Sequence, residues 1–293
     1  MASFIMAGRI QAAIFVVLST LISLFLPPLI VFSSAAIALI TLRKGWQQGI
    51  LYALLATATL LIVSQQANGG IAGLATWLPM VLIASALAMT QSWGKTIKLI
   101  LLLSVAGVLL FHLTHPDAAA YWKQMLEQMK PLLVKTQQAY QLSDSKFDEA
   151  INNAATWMTG TFATVFAIVS IISLIIARNW QAALYNPGGF GEEFRQIRIG
   201  KQASIALLVG IVLAVVSKNQ LIVELLMVGV GVFMFQGLSL VHSIVKQRGM
   251  SIRWLIGLYV LMLLLLIQMI VLLATFGLVD NFADFRRQIA NKK

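Results

Sequence analysis

The chain has 293 residues, 59% of them hydrophobic and 11% charged, with 21 basic residues against 10 acidic ones and a formal charge of +11. A soluble domain carries about 25% charged residues, so this composition, with a mean hydropathy of +0.88, excludes an ordinary water-soluble fold and predicts an all-α, polytopic transmembrane helix bundle. The absence of cysteine excludes disulfides, thiolate nucleophiles and cysteine metal sites, and the bases sit at the ends of apolar runs with no basic stripe among exposed aromatics, which speaks for membrane topology and against nucleic acid.

A helix needs about 20 apolar residues to cross a hydrocarbon core of roughly 30 Å. The first apolar run is 10–26, preceded by Arg9 and followed by no small-residue cleavage site, so no cleavable signal is expected. Pro27-Pro28 interrupts, and 29–42 follows. As one helix the two runs would be about 50 Å long, more than tilt absorbs. A hairpin or sharp kink is therefore expected at the prolines, facing protein, because the freed backbone groups need partners. Arg43-Lys44-Gly45 ends the second span; 50–64 is the third, 65–70 an uncharged turn, 71–90 the fourth with Pro79 inside it, and 97–112 the fifth, after Lys95 and Lys98.

The segment 114–155 is a polar insert in which Trp122, Met125, Leu126, Met129, Leu132 and Leu133 recur at helical spacing. This predicts an amphipathic helix lying on the membrane or the bundle, bent at Pro131. Ser145 with Asp148 fits a loose capping box opening a helix that runs on into the sixth span, 156–177. A polar connector, 178–201, precedes three more spans at about 202–217, 221–245 and 254–277. In the tail, Phe282, Phe285 and Ile289 share one face and the acids precede the bases, which suits the dipole of a short interfacial helix. The division is thus a six-span bundle over 1–178 with its extracytoplasmic insert at 114–155, a cytoplasmic loop at 179–201, three additional spans over 202–279, and an amphipathic tail from 280 to 293.

With the N-terminus cytoplasmic, the inner turns hold Arg43, Lys44, Lys95, Lys98, Arg178, Arg195, Arg198 and Lys201, while the outer turn at 65–70 holds no base. The last third is open between two threadings. Nine spans put Lys246, Arg248 and Arg253 inside and leave Arg286, Arg287, Lys292 and Lys293 outside; a re-entrant 202–217 gives eight spans and brings the tail inside. Span length favours nine, charge counting eight, and about nine is the count adopted.

Chemistry-bearing residues are few. His112, His115 and Asp117 could approach one metal, but polar residues at a helix end serve equally, and no metal is expected. Glu224 is the acid placed well within an apolar run. It is either a ligand or proton site near the outer face, with His112 or Gln236, or a side chain reaching water from the helix end. Gln236, His242 and Gln268 could hydrogen-bond between helices. Gly8 with Ala12, and Ala84 with Ala88, permit close packing, whereas Gly229 and Gly231 lie on different faces. Asn186-Pro187-Gly188-Gly189-Phe190-Gly191 lacks the Lys-Ser/Thr of a phosphate loop and reads as a turn. Around it Trp180, Tyr185, Phe190, Phe194, Arg195 and Arg198 are types enriched at interfaces, which makes 178–201 a partner-docking candidate. No triad or catalytic carboxylate pair is present in the sequence, so neither enzymatic activity nor a cofactor is expected.

Several of these residues carry a resemblance. The double-proline break, RNWQAALYNPGGFGEEFRQIRI after the sixth span, Gln236-Gly237, and Gly277-Leu-Val-Asp280 followed by Asp284-Phe285-Arg286 together resemble the YybS-like predicted membrane proteins of bacteria, over essentially the whole chain. More distantly, the first six spans are similar to the S component of energy-coupling-factor vitamin transporters, with its early proline-bearing hairpin and long outer connection after the fifth helix. That likeness implies a small solute in a polar pocket under the 114–155 insert, between spans one and six. It also implies a membrane coupling subunit on the cytoplasmic side, with Gly8 and Ala12 nearest to the S component's small-residue contact. The expectation is a multi-pass protein of the bacterial inner membrane related to solute binding or transport; the alternative is a scaffold recruiting cytoplasmic proteins through 178–201.

Overall fold

A computed structural model describes residues 1–131, 137, 138, 140 and 143–290. Leu132 and Leu133 of the predicted amphipathic helix, and Lys292 and Lys293, lie outside the described residues. The helices are α1 (Ala2–Ala7), α2 (Arg9–Phe25), α3 (Ile30–Lys44), α4 (Trp46–Ser64), α5 (Ala67–Thr90), α6 (Trp93–Thr114), α7 (Ala118–Gln128), α8 (Asp144–Tyr185), α9 (Gly189–Arg195), α10 (Lys201–Ser217), α11 (Gln220–Gln247), α12 (Arg253–Leu264), α13 (Leu266–Ala283) and α14 (Phe285–Ala290). No strand occurs among the described residues. Among the described residues seven helices, counting Pro27–Lys44 as one, are long and apolar enough to cross a membrane, and α2, α10 and α12 are shorter apolar helices. The protein is an all-α polytopic bundle.

The two prolines form a 3-10 turn, Pro27–Leu29, at the tip of a hairpin in which α2 packs on α3. Contrary to expectation, this break is exposed. The need for protein partners does not arise, because the turn closes its own bond from the Leu29 N–H to the Leu26 carbonyl at 2.9 Å and sits at a bundle end. The insert helix α7 stops at Gln128, ahead of Pro131, and lies against α8. The cap of α8 is Ser143, whose hydroxyl accepts from the Lys146 N–H, two residues before the predicted Ser145. From there α8 runs for 42 residues without a break. It carries the sixth span and continues eight residues into the polar connector, because Gln181, Ala182, Ala183 and Leu184 are good helix formers and Trp180 packs between Phe15 and Phe32.

One apolar core runs from Ile5 to Ala274. Small residues set its tightest contacts: Ala35, Ala36 and Ala38 of α3, Ala53 and Ala56 of α4 and Ala84 of α5 are fully buried. Ala12 is buried too, while Ala88 is exposed and Gly8 half-buried. Gly229 packs on Leu207 of α10 and Gly231 on Thr164 and Ile168 of α8, the two faces foreseen from their spacing. Helix α11 packs on α6, α8, α10 and α13, so the last spans share the core of the first six.

Contacts at the end of the chain bear on the open threading. Gln220 of α11 reaches the Thr156 carbonyl at the insert end of α8, so α10 crosses the bundle fully. His242, near the far end of α11, packs on Phe194 of the connector, so α11 crosses back. Yet Arg286 of the tail donates to the Arg195 and Ile197 carbonyls of that same connector. The unit α12–α13 therefore starts and finishes on one face, bent at Leu265 (φ −128°, ψ 50°). Among the described residues it is α12–α13, in place of 202–217, that begins and ends on one face, although α13 by itself is long and apolar enough to cross a membrane. The tail lies with the connector, where its charges find partners.

Candidate functional site

Two faces carry polar chemistry. On the insert face, Glu224 lies one turn into α11 and is wholly buried, so it does not reach water from the helix end. His112 Nε2, at the end of α6, donates to its Oε2 at 2.7 Å, and Gln220 Nε2 donates to its Oε1 at 3.0 Å and to the Thr156 carbonyl at 2.6 Å. Gly160 of α8 makes room for the pair: a Cβ there would stand 2.9 Å from Glu224 Cα, Cβ and Cγ. Three helices thus converge on one carboxylate. Gln236 takes no part, since 12 residues along a helix separate it from Glu224 by about 18 Å. His115 turns away to stack on Phe111 at 4.5 Å, and Asp117 caps α7 through the Ala120 N–H. No cluster of three metal-ligating acids, histidines or cysteines occurs among the described residues.

Beside the pair, across the α6–α8 seam, a cleft of about 560 Å³ is lined by Ala75, Pro79, Gly107, Phe111, Thr159 and Phe162 among others, and is apolar. Its roof is α7: Trp122 stacks between Phe111 (5.1 Å) and Phe162 (5.0 Å) and donates its indole N–H to Thr159 at 2.8 Å. This differs from the polar pocket expected between spans one and six. The cavity beneath the insert lies between the fourth, fifth and sixth spans, because α7 docks by its aromatic side, and aromatics need apolar neighbours for their rings and a single partner for the indole.

On the connector face, α9 folds back onto the bundle, and Gln196 to Gly200 then run without helical structure. Such a segment is tolerated against membrane helices only where protein satisfies its backbone. Gln236 Oε1 accepts from the Ile199 N–H at 2.7 Å, Ser239 donates to the Phe194 carbonyl at 2.6 Å, and Arg286 donates to the Arg195 and Ile197 carbonyls at 2.5 and 2.9 Å. Gln236 also donates to the Gly277 carbonyl at 2.7 Å, and Asn281 joins through Ser204 at 2.7 Å. Asp280, wholly buried, faces Arg286 Nε at 3.2 Å and Arg198 Nε at 3.9 Å. Neither Asp280 oxygen makes an aligned hydrogen bond, so that contact is coulombic. Arg198 also pairs with Asp284. The sequence signal for this cluster, polar residues interrupting the last apolar run at Asp280 and Asn281, reads as the start of the tail because a span of ordinary length already ends there.

The docking candidates divide. Trp180 is packed against Phe15 and Phe32; Phe190 and Phe194 turn inward on Trp93 and His242; and Arg195 and Arg198 are half-buried. Tyr185, Asn186, Pro187 and Gly188 remain exposed at the tip, with Arg43 stacked 3.8 Å over the Tyr185 ring. His242 Nδ1 donates to the Leu238 carbonyl at 2.9 Å and Tyr259 approaches Nε2 at 3.3 Å. Gln268 is exposed near the α12–α13 bend.

Arg178 clamps α9 to the bundle, donating to both oxygens of Glu193 at 2.9 and 2.7 Å. Burial pushes the Glu193 carboxyl up, but the Arg178 hydrogen bonds and charge, with the Trp93 N–H, outweigh it and hold the group below its ordinary value. A carboxyl lowered on folding stabilises the fold above its unfolded value and loses that contribution as pH falls through the lowered one. Docking of α9 is therefore expected to be insensitive to pH near neutrality and to weaken in acid, below the usual carboxylate range. Hydrogen-exchange protection factors across 189–195 read this, and Glu193→Gln removes the dependence. Constant protection into strong acid in the wild type would contradict it.

A family model described as Predicted membrane protein (DUF2232) matches residues 13–281. No curated protein and no solved structure matches the chain.

Proposed function

This chain belongs to the DUF2232 family of predicted membrane proteins, and from that premise we propose that it binds a small solute with an apolar body in the cleft roofed by α7, as a transport-related protein of the bacterial inner membrane. The observation that carries this reading is the juxtaposition of a roofed cleft with a wholly buried carboxyl group, hydrogen-bonded to His112, inside a span. Intramembrane ionisable groups are expensive and mark functional paths, and preformed apolar cavities with a few polar groups are where small ligands sit. The two features share their walls: Phe111 lines the cleft and His112 meets Glu224, while Thr159 lines the cleft and Gly160 packs on Glu224. The proline hairpin and the outer insert after the fifth span suit the likeness to YybS-like proteins and to S components. Bases gathered at Arg43, Arg178 and Arg198 support a cytoplasmic connector and N-terminus.

Gly107 supplies the test. A Cβ added there meets no heavy atom within 4 Å, so Gly107→Trp starts its side chain in open space at the cleft wall and is expected to occupy the cleft. Thermal unfolding of purified protein against a panel of apolar vitamins and metabolites should find at least one stabiliser, and Gly107→Trp should lose that response while keeping the unliganded midpoint. Silence across the panel, or an unchanged response in the variant, refutes the reading. A second reading, a scaffold for cytoplasmic proteins, is favoured by the exposed tip at Tyr185–Gly188. Photocrosslinking from Tyr185 that traps lipid alone would end it.

A further inference from the structure

We propose that the connector face holds a second binding site, for a phosphate-bearing ligand, in a cavity of about 670 Å³ between α3, α5, α6, α8 and the connector. Its ionisable lining is Arg43, Arg178 and Arg198 against one acid, Glu193. That acid is already satisfied: one oxygen accepts from Arg178 and the other from Arg178 and Trp93. Arg43 has no carboxylate partner among the described residues and rests on the Tyr185 ring.

A neutral amide donor stands beside these charges. Gln181 is 9% exposed and lines the cavity. Its Oε1 accepts from Arg178 at 2.6 Å, which fixes the amide orientation because a guanidinium only donates. Gln181 Nε2 is thereby left without an acceptor among the described residues. Trp93 and Gly94, also in the lining, open α6, and the first N–H groups of a helix have no acceptor within it. Arg178 is matched by Glu193 and Arg198 by Asp284 beyond the lining, so the unmatched charge is that of Arg43; with the Gln181 amide and the helix N–H groups it calls for an anion with several acceptor oxygens, and guanidinium with helix N–H groups is the usual phosphate pairing. The cavity stands apart from the cleft under α7, at the other end of α6, so this site is independent of the solute reading.

A phosphate could arrive on a soluble metabolite or as a lipid headgroup, and the experiment separates them. Pyrophosphate is titrated into protein in a neutral detergent and followed by thermal unfolding and calorimetry. In parallel, the protein's midpoint is compared in nanodiscs of phosphatidylcholine alone and with phosphatidylglycerol. Arg43→Gln and Gln181→Met are the variants, each checked for a wild-type midpoint without ligand. Stabilisation by pyrophosphate, weakened about tenfold in Arg43→Gln as for one lost charge-assisted hydrogen bond, supports a soluble ligand. Stabilisation by phosphatidylglycerol alone, lost in the same variant, supports a headgroup. Gly107→Trp should leave either response intact. No stabilisation by either anion, or equal responses in wild type and both variants, overturns the site.

Discussion

Arg286→Ala is expected to lower stability by about 3–5 kcal/mol, the range for removing one partner of a buried ion pair. The residue is 7% exposed, and burial pulls its guanidinium below the ordinary value against the pull of Asp280 and Asp284. Its loss strands Asp280, which is fully buried, with Arg198 Nε as its remaining charged neighbour at 3.9 Å. It also takes the donors from the Arg195 and Ile197 carbonyls in a stretch that has no helix to satisfy them. Arg286→Lys keeps the charge but not the fork that reaches two carbonyls and a carboxylate together, so its loss should be intermediate. Asp280→Asn leaves Arg286 and Arg198 without their shared buried counter-charge and should also destabilise, while keeping the bonds from Arg286 to the connector carbonyls. Midpoints in one detergent order the three variants, and equal midpoints for wild type and Arg286→Ala would show that the tail does not anchor the connector.

The second large effect is steric. A Cβ on Gly237 would land on the Leu273 carbonyl oxygen and 2.6 Å from its carbonyl carbon; one on Gly277 would stand 2.5 Å from the Phe233 carbonyl oxygen. Each obstacle is backbone inside a helix, which cannot rotate aside. Gly237→Leu should therefore exceed the roughly 1–3 kcal/mol typical of overpacking, because α11 and α13 must part. Gly107→Ala, into open space, should instead gain about 0.5–1 kcal/mol from the better helix residue. Opposite signs from two glycines in membrane helices are the diagnostic; a stable Gly237→Leu would mean that α13 does not cross α11 there.

The first six spans were legible because each apolar run is bounded by prolines, bases or a Gly-rich turn, and a span length is set by the bilayer itself. The last third was less so. Its runs have the right length, but whether a run crosses or doubles back depends on where its ends find partners. The bond from Arg286 to Ile197 joins residues that sequence spacing cannot relate. The Glu224–His112 contact was readable as one option because each residue stood near the same face, whereas Gln236 lay too far along its own helix. The polar cleft was an expectation carried by the likeness to S components, yet α7 presents Trp122 to the bundle and leaves its polar residues outside. The inward turn of Phe190 and Phe194 could not be told from display on the surface, since the same residue types serve both.

The continuous helix from Asp144 to Tyr185 is about 63 Å long at 1.5 Å per residue, roughly twice the thickness of a hydrocarbon core. Its ends must therefore stand in water on opposite sides, so the roof over the cleft and the clamp on the connector are mounted on a single stiff rod. A pivot of this rod near its middle would carry the two ends in opposite directions, by about 5 Å for a swing of about 10°. Such a pivot would link the two surfaces through one helix, with no contact needed between them.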